Sequence, residues 1–172
     1  ASKLAYYHIF FSMANEPAIR LADEVLQVAP KHMSKVFFCN SGSEANDTQV
    51  KIAWYYNNLR GLPQKKKIIS RHRGYHGVTV VAASMTGLPA NHQSFNLPLE
   101  GFLHVTAPHH YWNAKEGESE TEFSDRLAKE LESTIEREDP STIAAFIAEP
   151  VMGAGGVVPP PEGYFPRIQA IL

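Results

Sequence analysis

The chain has 172 residues, 16 basic and 18 acidic side chains, and a formal net charge of −2. That balance lacks the basic footprint of a nucleic-acid or anionic-membrane binder, and no apolar run approaches the ~20 residues of a membrane span. Hydrophobic residues make up 44% and charged residues 20%, a composition that supports a globular core, while the single cysteine, Cys39, excludes an intrachain disulfide framework and fits a reducing, cytoplasmic setting.

Asn15 is placed to cap a helix with Glu16 and Pro17 in its first turn. Ala18, Ile19, Ala22, Val25, Leu26 and Ala29 then recur at helical spacing until Pro30. Val36-Phe37-Phe38-Cys39 reads as a short buried strand. Asn40 to Asp47 leads into a helix through Ile52, Tyr56 and Leu59 that stops at Gly61. Lys65-Lys66-Lys67 is expected to be a solvated corner before a strand at Lys67 to Ser70. Val78 to Ser84 is ambiguous: its β-branched content favours a strand, whereas Gly87, placed like a C-cap, favours a helix.

Phe102-Leu103-His104-Val105 reads as a strand, and residues 106–121 as the longest loop. Phe123, Leu127, Leu131 and Ile135 form one helical stripe. Ile143 to Ala148 reads as a buried strand, and a last helix opens near Pro166. Strand and helix alternate, which predicts an α/β fold with a largely parallel sheet and helices on both faces. Residues 1–172 are expected to form one domain. The chain starts at Ala1 without a Met and stops on Ile171-Leu172 where a helix is beginning, so it reads as a piece of something longer.

Ser41-Gly42-Ser43-Glu44, between strand and helix, is the strongest local signal. Gly42 lets backbone approach a ligand, and the first helical turn offers unpaired N–H groups at a positive dipole end. Ser41 and Ser43 add hydroxyls, so the loop suits a phosphate monoester. The same S-x-x-E spacing is a capping box, and the two readings are compatible. A nucleotide P-loop is absent. Gly153-Ala154-Gly155-Gly156 is followed by prolines where a dinucleotide fold needs a helix. His72 and His76 have an i, i+4 spacing, but Gly74 disfavours a helix there and no third ligand is near, so zinc is rejected. Tyr75, between two glycines at a strand end, is placed to lie flat against a planar ligand. Glu149 ends the Ile143 strand with a carboxylate. Ser41 to Ser43, Tyr75 and Glu149 thus share the carboxyl ends of strands, where ligands of open parallel sheets lie. Cys39, inside its strand, is expected to be inert.

Three motifs in order, Phe38-Cys39-Asn40-Ser41-Gly42-Ser43-Glu44-Ala45-Asn46-Asp47, Arg73-Gly74-Tyr75-His76-Gly77 and Ala148-Glu149-Pro150-Val151-Met152-Gly153-Ala154-Gly155-Gly156, resemble the class III aminotransferases. These are fold-type I enzymes that use pyridoxal 5′-phosphate (PLP). The resemblance implies an interior portion of the PLP-binding large domain, with both family termini absent. It implies that Gly42 and Ser43 bind the cofactor phosphate, Tyr75 stacks on the ring, and His76 and Glu149 support it. Tyr7-His8-Ile9-Phe10-Phe11 resembles the family's aromatic segment, so Phe10 and Phe11 would reach a substrate pocket across a homodimer or larger homo-oligomer. It also implies that Val78 to Thr86 is helical.

Members of the family that act on ornithine or 4-aminobutyrate carry a Glu where this chain has Ala154, and that Glu pairs with a switching arginine that receives the α-carboxylate of glutamate. The resemblance therefore points to transfer from an ω-amino acid or amine to a keto acid, with pyruvate as acceptor. It places the ring-nitrogen Asp and the Schiff-base lysine after Leu172, so no catalytic residue is assigned within the chain. A same-fold decarboxylase, aminomutase or racemase is the alternative reaction, and a non-catalytic module binding a phosphate ligand is the alternative class.

Overall fold

The computed structural model describes residues 13–172, which fall into two compact units, one ending at Cys39 and the other spanning Asn40–Leu172. Phe10 and Phe11 lie outside the described residues.

In the first unit, α1 (Glu16–Val28) starts as the sequence predicts: the Asn15 side chain accepts a hydrogen bond from the Ala18 amide at 2.9 Å. The Val36 to Cys39 run is not a strand, and Phe37, Phe38 and Cys39 are exposed. A strand needs a neighbour to complete its backbone ladder, and this unit has no other strand among its described residues. Cys39 is thus an exposed thiol rather than a buried inert one.

The second unit carries the sheet. Strands β1 (Lys67–Arg71), β2 (Phe102–Val105) and β3 (Ile143–Phe146) run parallel in the order β2-β1-β3. Helices α2 (Gly42–Leu59) and α3 (Val80–Met85) precede and follow β1. After β2 come a short α4 (His110–Asn113) and α5 (Glu120–Arg137), and α6 (Tyr164–Ile171) follows β3. The alternation of side chains along β1 sorts the core into two layers. Ile68 joins Val50, Ala82, Met85 and Phe102 under α2 and α3. Ile69 joins Val105, Phe123, Leu127, Leu131, Ile143, Tyr164 and Ile168 under α5 and α6. Helices therefore cover both faces of a parallel sheet, as the alternating pattern predicts.

The ambiguous stretch is a helix, because its polar partners settle what propensity does not. Asp47 Oδ1 accepts from the Ala82 amide at 3.0 Å and from Thr79 Oγ1 at 2.8 Å, so α2 caps α3 from outside. Ala82, Ala83 and Ser84 are small enough to bury fully against the sheet. The lysine corner is not left to solvent. Lys67 Nζ bonds the Glu138 carboxylate at 3.0 Å, Lys66 lies over the Trp54 ring at 5.3 Å, and Lys65 Nζ reaches the Pro140 carbonyl at 3.3 Å.

Within residues 106–121, Ala107 and Pro108 are buried, and a charged cluster ties down the rest. Arg126 binds both oxygens of Glu118, at 2.7 and 2.8 Å, and the Asn113 carbonyl at 2.7 Å. The bond from Arg126 holds the Glu118 carboxyl well down, to about 2. A full capping box stands at Ser119 and Glu122, where α5 begins.

Candidate functional site

The first turn of α2 is the centre of the site. Ser41 Oγ accepts from the Glu44 amide at 3.2 Å, but Glu44 reaches back to the Asn40 amide at 2.7 Å rather than to Ser41. The box predicted from spacing is therefore only half formed. It leaves the Gly42 and Ser43 amides without a protein acceptor among the described residues, pointing out from the positive end of an 18-residue helix. A Cβ placed on Gly42 would meet nothing within 4 Å, so the backbone there is open to close approach. Ser43 Oγ accepts from the Val78 amide at 3.0 Å and still has its own proton to donate.

Among the described residues no strand precedes α2, so Gly42 and Ser43 do not sit at a strand end as predicted. Hydrogen bonds bring them to the others instead. Ser43 holds Val78, and Asn46 Nδ2 donates to the His76 carbonyl at 2.7 Å. The loop after β1 is thereby laid across the start of α2. The two other elements do behave as predicted: Tyr75 follows β1 and Glu149 follows β3, at the carboxyl edge of the sheet.

Glu149 commits both oxygens to backbone. Oε1 accepts from the Tyr75 amide at 2.9 Å and Oε2 from the Gly153 amide at 2.8 Å. It braces the loop that carries Tyr75 and fastens the Gly-rich turn beside it. The Tyr75 side chain remains 41% exposed, a flat face held on a fixed backbone. His76 points the other way and is buried. Its amide donates to Thr86 Oγ1 at 2.9 Å, and its Nε2 is buried with no partner among the described residues. His72 does not join it as a ligand pair, and no cluster of His, Cys, Asp or Glu suited to a metal occurs among the described residues.

Burial holds the His76 imidazole down to about 4, against an ordinary 6.5; the Glu149 carboxylate opposes this and loses, while Arg71 and His104 add to it. His76 is thus neutral at physiological pH. An unfolded chain takes up this proton near pH 6.5 and the folded one only near 4. The stabilisation is complete above the first value and is lost as pH falls through the second. In the intact protein, the urea midpoint is expected to drop between those limits, and His76→Asn to flatten part of the slope. His104, also lowered by burial and by the His72 charge, contributes in the same direction. Parallel curves for the two proteins would contradict this.

Sequence reasoning passed over Asn46, Asp47, Arg73 and Thr86. Asn46 and Asp47 stood inside the first motif, but their acceptor and donor partners lie about thirty residues away. Thr86 supplies one hydroxyl to His76 and to the Gly77 and Ala82 carbonyls.

The residues present suit a planar ligand with a phosphate group: open helix amides and a serine hydroxyl at one end, a braced aromatic face at the other. Residues 2–172 match the family Aminotransferase class-III. The chain belongs to the class III aminotransferases, a family that uses PLP. It is 55% identical over its whole length to an uncharacterized aminotransferase of Sinorhizobium fredii, of which it spans 37%. It is 57% identical over 98% of its length to the mitochondrial gamma aminobutyrate transaminase 1 of Solanum lycopersicum, spanning 33% of that protein. An omega transaminase from Pseudomonas jessenii, solved in complex with pyridoxamine phosphate, superposes with a TM-score of 0.94 at 60% identity, over 96% of this chain and 36% of that one. A transaminase solved with L-alanine superposes with a TM-score of 0.96 at 57% identity, over 99% of this chain and 40% of that one. The chain thus spans little more than a third of the relatives it matches. No helix among the described residues is long and apolar enough to cross a membrane.

Proposed function

We propose that the intact protein is a PLP-dependent transaminase that moves an amino group from an ω-amino acid or amine to a keto acid, with pyruvate as the acceptor. This chain contributes the part that grips the cofactor. The observation that carries the reading is the bonded sequence Ser43–Val78, Asn46–His76 and Tyr75–Glu149, which joins an open helix N-terminus to an aromatic platform. Gly42 and Ser43 would hold the phosphate through their amides and the Ser43 hydroxyl. Tyr75 would lie against the ring. Glu149 fixes the Tyr75 backbone, and His76, neutral and buried, backs the loop.

Bound PLP supplies an electron sink for the bond broken at the substrate carbon. The chain's own work is to orient that cofactor and to keep water from one of its faces. The lysine that carries PLP in this family is assigned outside residues 1–172.

Ala154 supports the choice of acceptor. It stands exposed on the Gly-rich turn and offers no carboxylate to a switching arginine. The tomato relative is named for γ-aminobutyrate, itself an ω-amino acid, which supports the donor class. β3 supports an interior position for residues 1–172 in the large domain. It stands at one edge of the described sheet, and its Ala145 and Phe146 line an apolar cleft of about 370 Å³ together with residues of α2, whereas parallel sheets are covered on both faces. A homodimer in the cytoplasm completes the proposal, with Phe10 and Phe11 at the substrate pocket.

Incubating the PLP-loaded intact protein with γ-aminobutyrate, β-alanine or an aryl amine plus pyruvate tests it. Alanine is expected to form in step with loss of the donor amine. Release of carbon dioxide, or racemisation without transfer, would assign the same fold to the alternative chemistry.

A further inference from the structure

Arg73 stands in the left-handed region, at φ 64°, which is uncommon for a residue with a side chain and is sustained only where the surroundings hold it. Three contacts do so. Its amide donates to the Gly87 carbonyl at 2.8 Å. Its Nε donates to the Gly155 carbonyl at 2.8 Å. Its guanidinium lies over the Trp112 ring at 4.7 Å, and that ring is stacked on His109 at 4.1 Å with 8° between planes. The Arg73 carbonyl also sits where a Cβ on Gly155 would fall, so only glycine lets the two loops meet this closely.

The turn that Arg73 grips is itself strained. Val157, a β-branched residue, has φ 54°, and Gly156 has φ 124°. The Met152–Val158 bridge closes the turn from its own ends. From outside it has one anionic grip, Glu149 on Gly153, and one cationic grip, Arg73 on Gly155. Both grips are tied to the loop that bears Tyr75, two residues from Arg73.

We infer that Arg73 is a positioning residue for cofactor binding: clamped by the Trp112–His109 stack, it fixes the Gly-rich turn at 153–157 against the Tyr75 loop and so sets the platform's attitude. Its contacts are with Gly87, Gly155 and Trp112, and it acts through the Tyr75 loop and the turn that Glu149 holds. The role rests on the PLP-binding reading above; the clamp itself does not.

The test compares the intact protein with its Arg73→Met, Arg73→Lys and Trp112→Leu variants. Arg73→Met keeps the stem and loses both the hydrogen bond and the charge over Trp112. In the cofactor-free protein, hydrogen exchange of residues 151–158 and 73–77 is expected to quicken roughly tenfold, with exchange in α5 unchanged. The Kd for PLP is expected to rise about tenfold, while Arg73→Lys and Trp112→Leu fall between Met and wild type. Unchanged exchange in those two segments would overturn the clamp. Faster exchange with an unchanged Kd would overturn the positioning role. Uniformly faster exchange, α5 included, would make Arg73 a general stability residue and also overturn it; if Arg73→Met does not fold, Trp112→Leu is judged by the same criteria. Should wild type bind no PLP, the proposed function fails, and the exchange result still judges the clamp.

Discussion

Replacing Gly87 with Ala in the intact protein is expected to lower the unfolding free energy by about 1–3 kcal/mol or more. The sequence places Gly87 like a C-cap after a helix. The structure gives it a different reason to be glycine. A Cβ there would overlap the Arg71 carbonyl oxygen and stand 2.7 Å from His72 Cα and 2.8 Å from the Arg73 amide nitrogen. All three are backbone atoms, so no side chain can swing aside. The residue is also paired with the same loop, donating to the Gly74 carbonyl at 2.8 Å and accepting from the Arg73 amide at 2.8 Å. A methyl group forces the segments apart and breaks both bonds, and the displaced loop is the one that carries Tyr75. Urea unfolding measures the effect. A Gly87→Ala protein as stable as wild type would show that the loop yields without cost.

Gly42→Ala is expected to do the opposite. Nothing lies within 4 Å of the added methyl, and Gly42 is the first residue of α2. Restricting the unfolded chain there is expected to leave stability unchanged or to raise it by about 0.4–1 kcal/mol. PLP affinity is expected to fall by about 10- to 100-fold, the loss of a charge-assisted hydrogen bond or two when a methyl group stands between backbone and phosphate. A PLP titration followed by the absorbance of bound cofactor, run beside a thermal melt, reads both quantities. Equal affinity in the two proteins would remove Gly42 from the phosphate site.

These two glycines mark what the sequence made legible and what it did not. Periodicity placed α1, α2, α5 and the three strands of the sheet, because each is an amphipathic or fully apolar run with its own stop signals. Phe123, Leu127 and Leu131 are buried on one stripe as their spacing requires. The phosphate-type loop was legible too, since an S-G-S-E stretch at a helix start carries its chemistry locally. Long-range partnerships were not. Val36 to Cys39 has the composition of a strand but no strand among the described residues of its own unit to pair with. The stretch after Thr79 became helical through Asp47, over thirty residues earlier. Arg73 heads the second motif, but its partners Trp112 and Gly155 are far along the chain and only the fold brings them beside it. Glu149 was legible as a carboxylate at a strand end, but its use as a brace for two amides depends on where Tyr75 and Gly153 fall.

On the proposed reading, the start of α2, the Tyr75 loop and Glu149 form one cofactor cradle. A crystal structure of the intact protein with PLP tests it most directly. The phosphate oxygens are expected at about 2.7–3.1 Å from the Gly42 and Ser43 amides, with the pyridine ring against Tyr75. A phosphate held elsewhere, or a ring lying away from Tyr75, would contradict it.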